Sequence, residues 1–289
     1  MLKPRILGAV LVKDGWAVQS IGFARFLPVG RPEVSVEFLD RYGVDEIALL
    51  DISATREGRG PDTDMLKRCA RRCHVPIAVG GGVTTLGQMH ELVRNGADKV
   101  VINTAALDNP GLIAAGAHHF GNQCMLVAID AVKTSAGAYE VYSHCGTRPR
   151  AITPAAAAKA AVQQGAGEIL IHSIDRDGLK TGYDIELLAS VRAAVDVPVI
   201  ALGGAGHPRD FAAGLAAGAN AVAAGNMLNY TEHSVALVKR FLAQQGLSVR
   251  ADNYASYENA AFDEDGRLVR QPEDVLHDLL FMRIEEEVI

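Results

Sequence analysis

Aromatic residues are scarce in this chain, at 6% with a single Trp. Proteins that read single-stranded nucleic acid stack bases on aromatic side chains, so that class is disfavoured. No excess of positive charge makes up for it: 28 Lys and Arg stand against 34 Asp and Glu, for a formal charge of −6 and a pI near 5.8. DNA, RNA and anionic lipid find no basic field here. No apolar run approaches the roughly 18–20 residues of a membrane span. The opening Met1-Leu2-Lys3-Pro4-Arg5 lacks the apolar segment of a signal peptide. The expectation is a soluble, cytoplasmic protein with neither nucleic acid nor membrane as partner. Cysteine is rare too, with Cys69, Cys73, Cys124 and Cys145 only. Cys69 and Cys73 stand four apart on an expected helix, ahead of His74. A zinc site draws on four ligands at closer, paired spacings, so the thiols read as reduced, with no metal and no cofactor expected.

What is plentiful is apolar residues, at 49%, and glycine, at 29 residues in 289. That suits one large core with many short strand–helix turns. The chain also repeats itself. Glu46-Ile47-Ala48-Leu49-Leu50-Asp51-Ile52 returns 122 positions later as Glu168-Ile169-Leu170-Ile171-His172-Ser173-Ile174. At the same offset Val75-Pro76-Ile77 matches Val197-Pro198-Val199, Gly81-Gly82 matches Gly203-Gly204, and Gly96-Ala97 matches Gly218-Ala219. Short Val/Ile/Leu/Ala-rich runs predict strands near 5–12, 46–52, 76–80, 99–103, 124–130, 168–174, 197–202 and 221–225. Helices are predicted over 63–73, 85–95, 154–165, 184–194 and 208–217. Eight parallel strands with helical crossovers, in two similar halves, predict an α/β fold of the closed (β/α)8 barrel type over residues 1–250. An open doubly wound sheet is the runner-up. Beyond the barrel, 251–289 reads as an extension with a turn at Asp265-Gly266 and a helix opened by Pro272. That helix would carry Val275, Leu276, Leu279, Leu280, Ile284 and Val288 on one face, packed on the barrel or on a partner.

In such barrels ligands sit at the C-terminal ends of the strands. There lie Gly80-Gly81-Gly82 after the third strand and Gly203-Gly204-Ala205-Gly206 after the seventh, with Asn103-Thr104 and Gly225-Asn226 ending the neighbouring strands. Glycines let backbone N–H groups approach a phosphate, and a following helix N-terminus adds favourable dipole charge. Two such turns at repeat-related positions predict two phosphate sites; turns that serve packing alone are the alternative. A third glycine turn, Asp177-Gly178, follows the sixth strand. Asp130 and Asp51 end the fifth and second. Carboxylates at strand tops are acid/base candidates, unless they cap the next helix. At the opposite ends, four strands open with charges: Arg5, Glu46, Lys99 and Glu168. Either these are four solvated rim residues or they form a salt-bridged ring that guards a polar passage.

Several runs together carry a resemblance: Val12-Lys13-Asp14-Gly15, Val79-Gly80-Gly81-Gly82, Ala97-Asp98-Lys99-Val100, Ile102-Asn103-Thr104-Ala105-Ala106, Ala128-Ile129-Asp130, Ser173-Ile174-Asp175-Arg176-Asp177-Gly178 and Gly203-Gly204-Ala205-Gly206. Over residues 1–250 the chain resembles the cyclase subunit of imidazole glycerol phosphate synthase. The resemblance implies a duplicated half-barrel with two phosphate sites and a glutaminase subunit docked at the barrel's base. It also implies that ammonia enters past a gate matching Arg5, Glu46, Lys99 and Glu168, with Asp98 at a partner-docking position. It assigns catalysis to Asp130 with Asp177 assisting, and phosphate contact to Gly81, Gly82, Asn103, Thr104, Gly178, Gly203, Gly204, Gly225 and Asn226.

One departure matters. The family's first strand ends in an aspartate that works opposite the one matching Asp130, whereas here Leu11 stands in its place and has no proton to exchange. Gln19 stands where the family has lysine, Leu202 where it has serine, and Leu179 where threonine is usual. These changes, with Leu50-Asp51-Ile52-Ser53-Ala54-Thr55-Arg56-Glu57-Gly58-Arg59, are similar to a paralogous group. That group is associated with a glutaminase and a sugar amidotransferase in acetamidino modification of surface-polysaccharide sugars. The expectation is therefore an ammonia-accepting synthase subunit acting in that modification. Its alternatives are the histidine-pathway cyclase, should Asp51 or Asp14 substitute at position 11, and a non-catalytic ammonia conduit.

Overall fold

A computed structural model of the chain describes residues 3–229, 233–250, 257 and 260–275. The strands are β1 (Arg5–Lys13), β2 (Trp16–Ile21), β3 (Arg25–Gly30), β4 (Glu46–Asp51), β5 (Ile77–Gly80), β6 (Lys99–Ile102), β7 (Met125–Lys133), β8 (Tyr139–Ser143), β9 (Arg148–Pro149), β10 (Glu168–Ser173), β11 (Val199–Leu202) and β12 (Ala221–Ala224). Eight of them pair in parallel in the order β1-β4-β5-β6-β7-β10-β11-β12, and β12 pairs back onto β1 through Arg5↔Ala221 to Gly8↔Ala224. That last pairing closes the barrel and excludes the open sheet. The helices are α1 (Pro32–Arg41), α2 (Ala54–Glu57), α3 (Thr63–Ala70), α4 (Leu86–Arg94), α5 (Thr104–Asp108), α6 (Gly111–Phe120), α7 (Pro154–Gln163), α8 (Ile185–Arg192), α9 (Pro208–Ala216) and α10 (Ser234–Gln244).

Alternation along each strand sorts the side chains into two cores. Ile6, Val10 and Val12 of β1 point outward and pack under the helices, as do Ile169 and Ile171 of β10. Leu7, Ala9, Ala78, Val101, Leu126, Ala128, Leu170, Ile200 and Ala221 point inward and fill the barrel. The same parity places Arg5, Glu46, Lys99 and Glu168 at the bottom of the interior, and Leu11, Asp130 and His172 at its top.

The repeat holds at the level of hydrogen bonds. Asp98 Oδ2 accepts from the Ile77 amide at 2.8 Å, and Asn220 Oδ1, 122 positions on, accepts from the Val199 amide at 3.0 Å. Each half also sends its first strand into an antiparallel excursion, β2–β3 after β1 and β8–β9 after β7, neither of which the apolar runs of the sequence predict. The helix expected over 63–73 ends earlier, so Cys73 lies beyond it. Burial raises the Cys69 and Cys73 thiols to about 12, so in the metal-free protein they are unreactive thiols. Among the described residues no group of three or more His, Cys, Asp or Glu is arranged to hold a metal ion, and no helix is long and apolar enough to cross a membrane.

Past the barrel, Phe262 bridges Leu268 in antiparallel fashion around a turn with Gly266 at φ +77°. Arg209 pairs with Asp265, and the Phe241 and Phe262 rings meet at 5.9 Å, so this turn rests on α9 and α10. Residues 273–275 begin a helical turn. Leu276, Leu279, Leu280, Ile284 and Val288 lie outside the described residues.

Candidate functional site

The upper mouth of the barrel holds two cavities. The larger, about 350 Å³, is lined by Gly81, Gly82, Asn103 and Thr104. The smaller, about 30 Å³, is lined by Gly178, Gly203, Gly204, Gly225 and Asn226. The nine positions expected to meet phosphate thus separate into two groups of one cavity each. Gly82 and Gly204 both have positive φ, at +68° and +101°. A Cβ there would lie 2.2 Å from a backbone oxygen, of Arg59 in one case and Gly182 in the other. Glycine is required at both turns by close backbone approach as well as by conformation. The amides just beyond the turns are already used. Gln88 Oε1 accepts from Thr84 and Thr85, and Asp210 Oδ2, again 122 positions on, accepts from Gly206 and His207. These four amides are therefore not free to meet an anion at either turn.

Only some of the polar side chains at the mouth are spent on structure. Asp51 accepts from the Ser53 and Ala54 amides at 2.9 and 3.2 Å and from Arg59 at 2.7 Å, so it caps α2 and anchors a loop. Asp14 is exposed on the β1–β2 turn, paired with Lys13 and Ser53. Both carboxylates expected as stand-ins for position 11 are thus engaged by neighbouring groups, Asp51 at the edge of the larger cavity and Asp14 outside it. Gly178, at φ +70°, lets its loop touch the first hairpin, where a Cβ would lie 2.3 Å from Ser20 O. Asn226 Nδ2 donates to that same carbonyl at 2.7 Å. Thr104 Oγ1 accepts from the His144 amide. Leu11 is half-buried where the two cavities meet and Leu202 is buried in the wall of the smaller one, whereas Leu179 is exposed and lines neither.

Asp130 sits at the end of the interior column of β7. Asn103 Nδ2 donates to its Oδ2 at 2.9 Å, while Asn103 Oδ1 is buried without a partner. Burial pushes the Asp130 carboxyl above the ordinary carboxylate range, with His172 and Asn103 opposing and Asp177 adding to the rise. Asp177 behaves in the opposite way. Burial would raise it too, but His172, the Ser20 hydroxyl at 2.6 Å and the Phe23 amide at 3.2 Å bring it below its ordinary value. Two neighbouring carboxyls whose environments push them apart form an acid/base arrangement, with Asp130 inclined to hold a proton and Asp177 to stay an anion.

Between them stands His172, which no sequence motif singles out. Its Nδ1 lies 3.8 Å from Asp130 Oδ1 and its Nε2 3.4 Å from Asp177 Oδ1. The second contact lacks hydrogen-bond geometry, so the buried Nε2 has no partner. The Phe23 ring packs edge-on against the imidazole at 4.8 Å. Alternation from Glu168 through Leu170 points this side chain inward, and that is the signal the sequence offers for it.

At the base, the four expected charges form a closed ring. Arg5 reaches Glu46 at 2.5 Å and Glu168 at 2.7 Å, and Lys99 reaches each of the same two carboxylates at 2.8 Å. Burial works against the Arg5 cation, but Glu168 and Glu46 outweigh it and raise its pKa. Glu46 is only 2% exposed, so a solvated rim does not describe these residues. Asp98 lies beside this layer and is held by the Ile77 amide.

The profile of a family described as Histidine biosynthesis protein matches residues 5–234. Among similar proteins, the imidazole glycerol phosphate synthase subunit HisF of Hyphomonas neptunium is 44% identical over 251 residues, 86% of this chain and 99% of that relative. The HisF subunit of Thermococcus gammatolerans is 42% identical over 252 residues, 87% of this chain and all of that relative. A Vibrio vulnificus protein provisionally named imidazole glycerol phosphate synthase subunit hisF2 is 39% identical over 268 residues, 92% of this chain and 98% of its own length.

Proposed function

Because the chain belongs to the histidine biosynthesis protein family of HisF cyclase subunits, we propose that it is the ammonia-accepting subunit of an imidazole glycerol phosphate synthase-type pair. The observation that carries this reading is the division of the upper mouth into two glycine-turn cavities, with His172 bordering both and Asp130 lining the larger. A ligand with a phosphate at each end would lie across Asp130. Ammonia would come from a glutaminase docked at the base, where Asp98 borders the ring. As it stands the ring is closed, so passage needs one cation to swing aside. Lys99, a point charge on a flexible four-carbon stem, suits that better than Arg5 with its fork on two carboxylates. Above the ring, Ala78, Val101, Leu126, Leu170 and Ala221 give an apolar interior that favours neutral ammonia over ammonium.

The expected acetamidino modification of a surface-polysaccharide sugar, with a sugar amidotransferase as third partner, rests on Leu11, Gln19, Leu179, Leu202 and the Leu50–Arg59 run alone. The names of relatives that cover 86–92% of the chain favour the histidine-type reaction. The test offers the isolated chain the substrate of imidazole glycerol phosphate synthase with excess ammonium chloride. Steady turnover is expected. No turnover, together with ammonium-dependent change of an acetamido sugar when a sugar amidotransferase is added, would overturn the histidine-type reading in favour of the other.

A further inference from the structure

Among the described residues, two side chains border both upper cavities, Leu11 and His172. Leucine cannot exchange a proton, so the ionisable group common to the whole ligand space is the imidazole. The groups facing it can be named element by element. Asp130 comes from β7, in register with His172, and Asp177 comes from the turn after β10. Leu202 and Gly203 come from β11 and its turn, and Phe23 from the β2–β3 turn, all uncharged. A histidine kept for packing would have its nitrogens committed to hydrogen bonds, whereas the buried Nε2 here has only the 3.4 Å approach of Asp177, outside hydrogen-bond geometry.

We propose that His172 is a proton-transfer residue of the reaction at the barrel mouth, oriented by Asp177 and paired with Asp130, in place of the carboxylate that position 11 lacks. This rests on the function proposed above. Asp177, held as an anion, places the imidazole proton on Nε2 and leaves the Nδ1 lone pair on the Asp130 side. Nδ1 takes a proton from the ligand, the imidazolium is stabilised by the Asp177 anion, and the same proton returns to the ligand in the next step. The ring and both carboxyls end as they began.

The test compares wild type, His172→Gln and the double variant His172→Gln/Leu11→Asp, with the substrate of imidazole glycerol phosphate synthase and ammonium chloride. Melting temperatures confirm that each variant is folded. His172→Gln is expected to lose at least 100-fold in kcat with KM changed less than threefold, and to lose one limb of the wild-type pH–rate profile. Leu11→Asp added to it is expected to recover at least tenfold. A kcat within threefold of wild type, or an unchanged pH profile, overturns the proposal and leaves the function standing. Should wild type itself give no turnover, the function fails separately, and nitrogen NMR of the His172 ring in the full chain decides the proposal. Ring nitrogen shifts that place the proton on Nε2 in wild type, and that change in Asp177→Asn, sustain it; a proton on Nδ1, or shifts unchanged by Asp177→Asn, overturn it.

Discussion

The two ends of the barrel treat buried charge in opposite ways. At the base, each cation of the ring meets both anions, and among the described residues no side chain outside the set pairs with any of the four. At the mouth, the same strands carry polar atoms without partners, His172 Nε2 and Asn103 Oδ1, beside an Asp130 whose carboxyl burial pushes up. Leaving a buried polar atom unpaired costs about 1–3 kcal/mol, a loss the base avoids and the mouth accepts. The backbone does not cause the difference. On β10 the interior column runs Glu168, Leu170, His172, so one strand serves both ends. What separates them is whether the side chains gathered at each end satisfy one another or leave buried polar atoms unpaired.

The largest expected effect breaks the self-sufficiency of the base. In Lys99→Met, Glu46 and Glu168 share Arg5 alone, and the loss in stability is expected to be about 3 kcal/mol by urea unfolding. A loss below about 0.5 kcal/mol would class the ring with ordinary surface pairs and dissolve the contrast. Next comes the rigidity of the mouth. Gly204→Ala places a methyl 2.2 Å from Gly182 O at φ +101°, and a cost of about 2 kcal/mol is expected. An unchanged melting temperature would mean that the turn can yield, and that its shape is not fixed for an anion.

A smaller effect has the opposite sign. Because the folded state raises the Asp130 pKa, the stability this carboxyl contributes is complete below its unfolded pKa and is lost as pH rises through the folded one. At pH 7, Asp130→Asn is therefore expected to be more stable than wild type, on the order of 1 kcal/mol, and the gap should close towards pH 4. Its new amide can donate to the unpartnered Asn103 Oδ1. A wild type more stable than the variant at pH 7 would mean that the anion is held by partners, as at the base.

The elements that set this arrangement are unevenly legible in the sequence. The strands from β4 to β7 and from β10 to β12 stand out because strands buried on both faces read as continuous apolar runs bounded by glycine. The repeat by itself aligns Gly81-Gly82 with Gly203-Gly204, the two turns that line separate cavities. The β2–β3 and β8–β9 excursions do not stand out, since short runs such as Tyr139–Ser143 mix charge with alternation and resemble loops. Asp51 reads as a candidate base because its type and position at a strand top are those of one; only the Ser53, Ala54 and Arg59 contacts show that it is spent. His172 is hidden for the converse reason. It falls inside an apolar strand, where a lone histidine passes for core, and only its parity with Glu168 points to the ligand space.

The two ends are joined by the claim that ammonia crosses from one to the other. The direct measurement supplies the complex of this chain and its glutaminase with amide-15N glutamine, in the presence of an excess of unlabelled ammonium in solution, and reads the isotope in the product. Passage through the ring predicts product labelled predominantly with 15N. Product whose label is diluted to the proportion of free ammonium would contradict the passage and, with it, the role of the base.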